Sequence, residues 1–123
     1  MEESGKQAST EDQQLYSGLI RLHVLHHAAE KPVYGLWLIE ELRGHGYKLS
    51  AGTLYPLLHG MEKRGYLRSV VKPSGRWTRR VYRATPKGRG ALNEAREKVR
   101  ELFGEVFEGR TVSNKGKAGG YRS

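Results

Sequence analysis

Between Lys63 and Gly90 the chain carries ten basic side chains and no acid: Lys63, Arg64, Arg68, Lys72, Arg76, Arg79, Arg80, Arg83, Lys87 and Arg89. Cations packed this densely repel one another and call for a counter-charge, and the repeating phosphate of a nucleic acid is the commonest one. A merely solvated basic face would show the same charge. Here, however, Val70, Val71, Trp77, Val81 and Tyr82 interleave with the bases, so the run belongs to folded structure and not to a tail. The pattern points to nucleic-acid contact.

Immediately before this window lies Ser50-Ala51-Gly52-Thr53-Leu54-Tyr55-Pro56-Leu57-Leu58. Ser50 offers a helix N-cap, and Leu54, Leu57, Leu58 and Met61 form an apolar stripe. Thr53, Tyr55, His59 and Lys63 fall on or near the opposite face, with Lys48 just ahead of the cap. Gly52 allows either close packing or a turn, or else the approach of backbone to a phosphate. Tyr55 is either a core tyrosine or a hydroxyl facing DNA. Pro56 conflicts with a helix that starts at Ser50, since mid-helix it removes a hydrogen bond at a cost of ~3 kcal/mol. Either Thr53 is the cap and Pro56 lies in the first turn, or the helix is kinked.

Other reactive side chains fall into no constellation. His23, His26 and His27 stand at i, i+3 and i+4 on one helix, with no acid apparent on the same turn. They read as a solvated or packed histidine face and not as a metal centre, which wants three or four converging ligands. His45 follows in a loop. There is no cysteine, hence no disulfide framework, thiolate ligand or cysteine nucleophile. Neither a phosphate-binding glycine loop nor an HExxH motif occurs, and Gly88-Arg89-Gly90 is too weak to mark a nucleotide site. No enzyme, cofactor or resident metal is expected.

The elements that must position the basic groups follow from periodicity. Leu15, Leu19, Leu22, Leu25 and Ala29 recur at spacings of four and three, predicting a helix over about 11–29 that ends before Pro32. A second helix is predicted over about 34–43, with Leu38, Ile39 and Leu42 inward. The third runs from Ser50 to about Arg64 and is closed by Gly65. The period then changes to two. Residues 66–72 and 77–84 read as strands joined by a turn at Pro73-Ser74-Gly75. Thr85-Pro86 reads as an N-cap followed by proline at the first helical position, opening a helix to about Glu108. At ~1.5 Å per residue that helix is on the order of 34 Å long.

Three helices, a basic hairpin and one long helix make an α+β, mostly α, winged helix-turn-helix. The third helix would enter the ~12 Å major groove, and the hairpin, or wing, would reach along the duplex. The expected organisation is a disordered polar N-terminus over 1–10, a DNA-binding domain over 11–85, a dimerisation helix over 86–108 and a flexible basic tail over 109–123. At 123 residues with a net charge of +9, there is room for one domain and little more. No apolar run reaches the ~18 residues that suggest a membrane span, and the polar start is unlike a secretory signal. The expected location is cytoplasmic.

Four segments carry a resemblance. Residues 34–42, Tyr-Gly-Leu-Trp-Leu-Ile-Glu-Glu-Leu, resemble the second helix of PadR-type transcriptional regulators. Residues 50–58 are similar to that family's most distinctive motif, at the start of its recognition helix. Residues 62–67 resemble its turn into the wing, and residues 79–88 its returning strand and entry to the last helix. The likeness covers about 15–108. It implies a dimeric DNA-binding repressor of the short type, with a single C-terminal helix, often answering to a small aromatic or drug-like compound. The expected DNA-binding set, from the exposed side of the third helix and the basic wing, is Lys48, Ser50, Gly52, Thr53, Tyr55, Pro56, His59, Lys63, Arg76, Arg79 and Arg80.

The last helix bears on partners. Leu92, Ala95, Val99, Leu102 and Val106 are spaced three and four, with Phe103 and Phe107 widening the face, a coiled-coil-like seam. It could pack back on the first helix. A second copy explains a helix of this length better, with Leu15 and Leu19 joining Leu92, Ala95, Val99, Leu102, Phe103 and Val106 at the interface. Two-fold symmetry would call for an inverted-repeat operator in double-stranded DNA. Tyr16, Phe103 and Phe107 could line a space for an aromatic effector. A non-specific architectural or RNA-binding protein, and a winged-helix protein-interaction module, are the alternatives.

Overall fold

The computed structural model describes residues 10–109, with side chains from Gln14 onward. The expected disordered lead and basic tail therefore lie outside the described residues, except Thr10, which opens the first helix, and Gly109. The element order is α1 (Thr10–Glu30), β1 (Val33–Tyr34), α2 (Gly35–Gly44), α3 (Ala51–Lys63), β2 (Leu67–Ser74), β3 (Trp77–Ala84) and α4 (Pro86–Glu108). Of the described residues, those through Leu92 form one compact unit and those from Asn93 a second.

The hairpin expected as two strands is part of a three-stranded antiparallel sheet in the order β1-β3-β2. β1 pairs Val33 with Tyr82 and Tyr34 with Val81. Two residues show no periodicity, and their partners lie far along the chain, so the strand leaves no sequence signal. Its effect is to fasten the start of α2 to the returning strand of the wing. The turn is also tighter than expected. Pairing continues to Ser74 opposite Trp77, leaving Gly75 and Arg76 as a two-residue loop. Gly75, at φ +63°, supplies the positive φ that such loops demand. Pro73 sits inside β2 and not in the turn. β2 is the outer strand, where proline need not break a ladder bond.

The core of the first unit is built from every element. α1 contributes Ile20, Val24, Leu25 and Ala28; α2 gives Leu38, Ile39 and Leu42; α3 gives Leu54, Leu58 and Met61. The sheet adds Val33, Leu67, Tyr82 and Ala84. The α1 stripe drawn from leucine spacing is thereby split. Leu25 faces the core, while Leu15 is 72% and Leu19 42% exposed. Leu92, assigned by spacing to a dimer seam, belongs to this core at 7% exposure. It lies within two turns of the α4 start, where the helix still packs on its own domain.

The junction between α3, the wing and α4 is closely packed. Gly65, at φ +87°, turns the chain out of α3. The Thr85 hydroxyl donates to the Gly65 carbonyl and accepts the Gly88 N–H at 3.0 Å, so it caps α4 and ties it to that turn. The Thr85 N–H donates to the Tyr66 carbonyl. The same carbonyl lies so close over Gly88 that a Cβ there would overlap it. Lys87 Nζ donates to the Arg64 carbonyl at 2.8 Å, a favourable place for a cation at a helix C-terminus. One of the ten bases of the window thus serves the fold.

α1 meets the end of α2 through a histidine cluster. His23 stacks on His45, the C-cap of α2, with ring centroids 4.7 Å apart. His27 lies 3.3 Å and His45 3.1 Å from the Glu41 carboxylate. His26 meets the His27 ring edge-on at 5.0 Å and lies 3.6 Å from Glu30. The expectation of no acid on the same turn as the histidines is corrected: Glu30 is there, and Glu41 comes from the neighbouring helix. Burial, reinforced by the imidazoles of His45, His27 and His26, holds His23 below the ordinary 6.5. Burial also lowers His27, outweighing the opposing carboxylate of Glu41.

Two outcomes follow from this packing. Gly88→Ala drives a methyl into backbone and should cost on the order of 1–3 kcal/mol. Gly90→Ala, where an added Cβ meets nothing within 4 Å, should instead stabilise the helix by about 0.5–1 kcal/mol. Denaturant midpoints of the two variants check the opposite signs.

The second outcome concerns pH. Because both imidazoles are less basic folded than unfolded, protonation favours the unfolded chain. Their contribution is complete above the unfolded value of 6.5 and is lost as pH falls below it. The melting temperature should therefore drop from about pH 7 to about pH 5.5, and drop less in a His23→Gln/His27→Gln variant. A double variant that falls as steeply as the parent would contradict this assignment.

Candidate nucleic-acid interface

The third helix is amphipathic as expected, and its start is settled. Ser50 is the N-cap, its Oγ accepting the Thr53 N–H at 3.3 Å. Thr53 is therefore the third residue of the helix and not its cap. The helix runs through Pro56 to Lys63. Proline there leaves the Gly52 carbonyl without its usual N–H donor, a loss that water can make good because both residues are exposed.

Leu54, Leu58 and Met61 are buried. Gly52, Tyr55, Pro56, His59 and Lys63 are exposed, at the i, i+3, i+4 spacing of the opposite face, and Thr53 is half-buried at its margin. Ser50 and Lys48 are exposed ahead of it. The packing explanation for Gly52 falls away. A Cβ at this position would meet only Ser50 Oγ, at an ordinary 3.7 Å, and no positive φ requires glycine.

Tyr55 is not a core tyrosine. The residue is 40% exposed, yet the hydroxyl end of its ring lies against Gly35, so close that a Cβ on Gly35 would overlap the phenol. Gly35 thus lets the first turn of α2 receive a side chain of α3. Two glycine- and tyrosine-bearing motifs, twenty positions apart in sequence, form one contact. A cleft of about 370 Å³ joins Tyr34, Gly35, Leu36 and Tyr55 to Ser74, Trp77, Thr78, Arg79 and Arg80 of the wing.

Charge on the wing is held in place, and it divides between faces. The guanidinium of Arg79 lies 3.8 Å from the centre of the Tyr34 ring, a cation–π contact. Arg80 donates to the Ser69 hydroxyl at 3.1 Å. Adjacent residues of a strand point to opposite faces, so Arg79 and Arg80 present charge on the two sides of the hairpin. Arg76 stands exposed in the two-residue turn beside Trp77, which is 75% exposed.

Ser69 in turn ends on Glu62 of α3. Its N–H donates to Glu62 Oε2 at 3.0 Å, and its hydroxyl lies 2.9 Å from both carboxylate oxygens. Glu62, the acid that borders the basic window, fixes the angle between helix and wing. Tyr34, Glu62 and Ser69 had no place in the expected DNA-binding set; of the three, Glu62 alone carried a local signal, as the acid at the edge of an acid-free run.

This arrangement of an exposed helix face beside a basic wing is where known proteins bear on the chain. A model of the Transcriptional regulator PadR-like family matches residues 24–94, more than half of the sequence. The chain belongs to the PadR-like family of transcriptional regulators. It is 52% identical over 92 residues to Transcriptional regulator Rv3488 of Mycobacterium tuberculosis, spanning 75% of this chain and 86% of the relative.

Among solved structures, a PadR family transcriptional regulator from Eggerthella lenta superposes with a TM-score of 0.67. It shares 33% identity, over 77% of this chain and 84% of that one. A PadR-like transcriptional regulator from Bacillus cereus gives a TM-score of 0.72 at 27% identity, covering 81% and 99% respectively. The family match ends two residues beyond Leu92, where the first compact unit also ends. The winged-helix unit is therefore the part this PadR-like chain holds in common with the family model.

The Tyr55–Gly35 contact can be tested apart from any ligand. Gly35→Ala should destabilise the parent by on the order of 1–3 kcal/mol, and should be near neutral once Tyr55→Ala has emptied the space. A double-mutant cycle of unfolding free energies checks this. Additive effects would show that the ring and the glycine are not coupled.

Proposed function

We propose that this PadR-like regulator is a dimeric, sequence-reading repressor of the cytoplasm, released from its operator by a small aromatic effector. The observation that carries the DNA-binding part is a hydrogen-bonded coupling. The exposed face Gly52, Tyr55, Pro56, His59 and Lys63 is bound, through Glu62 and Ser69, to a wing whose Arg76, Arg79 and Arg80 are exposed. A helix face reading bases in the major groove needs its backbone-contacting partner at a fixed distance, because phosphate contacts set register while base contacts set sequence. In this reading Ser50, Gly52 and Lys48 approach a phosphate at the start of α3. Tyr55, His59 and Lys63 face base edges, and Thr53 supports them at the margin.

The dimer is supported by the second unit. Val99, Leu102, Phe103, Val106 and Phe107 are all exposed apolar residues along one helix, with half-buried Ala95 at their start. Leu15 and Leu19 of α1 are likewise exposed. A second copy covering these residues would bring two recognition helices to an inverted repeat in double-stranded DNA. The effector would lie among aromatics near that interface. Phe103 and Phe107 pack together at 4.9 Å, and Tyr16 meets Tyr47 edge-on at 6.0 Å beside a cleft of about 290 Å³. Binding there would change operator affinity only by its preference for one spacing of the two helices.

Selection of bound fragments from genomic DNA should return an inverted repeat, and the selected duplex then serves as probe. Arg76→Ala, Arg79→Ala and Arg80→Ala should each weaken selected and random duplexes alike and flatten the salt dependence of the binding constant by about one unit. Unchanged slopes in all three variants would remove the wing from the interface. Equal affinity for selected and random duplexes would make this a non-specific binder.

A further inference from the structure

The histidine cluster between α1 and α2 stands apart from the α3 and wing residues assigned to DNA. Two i, i+4 pairs oppose each other there. His23 and His27 lie on successive turns of α1, and Glu41 and His45 lie at the end of α2. The candidate ligand atoms of His23, His27 and His45 all lie within 4.8 Å of one another. The Glu41 carboxylate oxygen is already 3.3 Å from His27 Nε2 and 3.1 Å from His45 Nε2.

In a tetrahedral centre with bonds of about 2.0–2.1 Å, neighbouring donor atoms stand about 3.3–3.4 Å apart. The Glu41 carboxylate stands at nearly that spacing from each of its two imidazoles without an ion. His23 stacks on His45 with ring centroids 4.7 Å apart, and its nearest ring nitrogen falls within 4.8 Å of those of His27 and His45. The residues are half-buried or exposed, so an ion has a way in.

We propose that His23, His27, His45 and Glu41 form a binding site for a divalent transition metal of the zinc type. Three imidazoles and one carboxylate suit Zn²⁺, Co²⁺ or Ni²⁺, whereas Mg²⁺ and Ca²⁺ want a shell of oxygens. The second local grouping, His26, His27 and Glu30, shares His27 but offers only three donors, all from one helix. It spans no junction between elements. The four-donor site instead bridges α1 to the cap of α2, and the chain runs from His45 through a four-residue connection directly to Ser50, the cap of the recognition helix. A bound ion would fasten that connection to α1. It would raise the melting temperature, since the unfolded chain does not present the four groups together.

The test uses the full chain and the metal alone. Zn²⁺ is titrated in competition with a chromophoric chelator, and Co²⁺ is followed by its visible d–d absorption, which is intense for tetrahedral nitrogen and oxygen ligation. One ion per chain is expected. His23→Ala, His45→Ala and Glu41→Gln should each weaken Zn²⁺ binding at least as much as loss of an outer-shell partner does, about 10–100-fold. They should also reduce the Co²⁺ band, while His26→Ala leaves both unchanged. Circular dichroism of each variant confirms that the helices remain. If His26→Ala abolishes binding and His45→Ala does not, the ion sits on α1 alone and the proposed site is wrong. An affinity for the parent no tighter than that of a His23→Ala/His45→Ala variant would likewise overturn it.

Discussion

The Glu62 carboxylate, accepting both the N–H and the hydroxyl of Ser69, is the interaction on which the interface depends. A wing of two strands joined by two residues has little core of its own. Val70, Val71 and Trp77 are all exposed, so burial alone does not fix its direction. A charge-assisted pair of hydrogen bonds does, and it does so from the last turn of α3. Ser69 then passes the constraint to Arg80. On the other flank the constraint comes from packing: Thr85, Gly88 and the Tyr66 carbonyl leave no room for the entry of α4 to shift. Wing, α3 and the entry of α4 are therefore joined by direct contacts.

The start of α2 plays the complementary part. β1 fastens it to β3, Tyr34 receives the Arg79 guanidinium, and Gly35 receives the Tyr55 ring. Three elements meet at two consecutive residues. The arrangement also manages charge. Ten cations without a nearby acid would repel one another. Arg79 is placed over a π face, Arg80 on a hydroxyl backed by Glu62, and Lys87 on the carbonyl end of α3. Each is a site where a cation is stabilised without being neutralised, so the positive field remains available to phosphate.

α4 serves two purposes along its length. Leu92 closes the core of the winged-helix unit, while Val99, Leu102, Phe103, Val106 and Phe107 stay exposed in the single chain. Exposed acids and bases accompany them, including the Arg100–Glu97 pair at 2.6 Å. Such a helix is soluble on one side and unsatisfied on the other, the pattern expected where a further surface covers it. Among the described residues no helix is long and apolar enough to cross a membrane.

The sequence by itself determined the four helices and the hairpin, because each has its own local signal. The 3.6-residue stripe of Leu54, Leu58 and Met61, the Ser50 and Thr85 caps, Gly65, and the change of period at Tyr66 are all local. The exposed face of α3 was legible for the same reason, as the complement of a buried stripe. Contacts between distant segments were not legible. Spacing placed Leu92 on a seam and Leu15 and Leu19 on one stripe with Leu25. Periodicity says which residues share a face but not what that face meets, and α1 turned out to bury Ile20, Val24, Leu25 and Ala28 instead. β1 is too short to have a period. The reasons for Gly35 and Gly88 reside in Tyr55 and Tyr66, and the partners of His23 and His27 arrive from α2. Local patterns fix elements because backbone hydrogen bonding and amphipathicity act over a few residues. Only the packed structure decides which side chains meet, since that depends on where the chain returns.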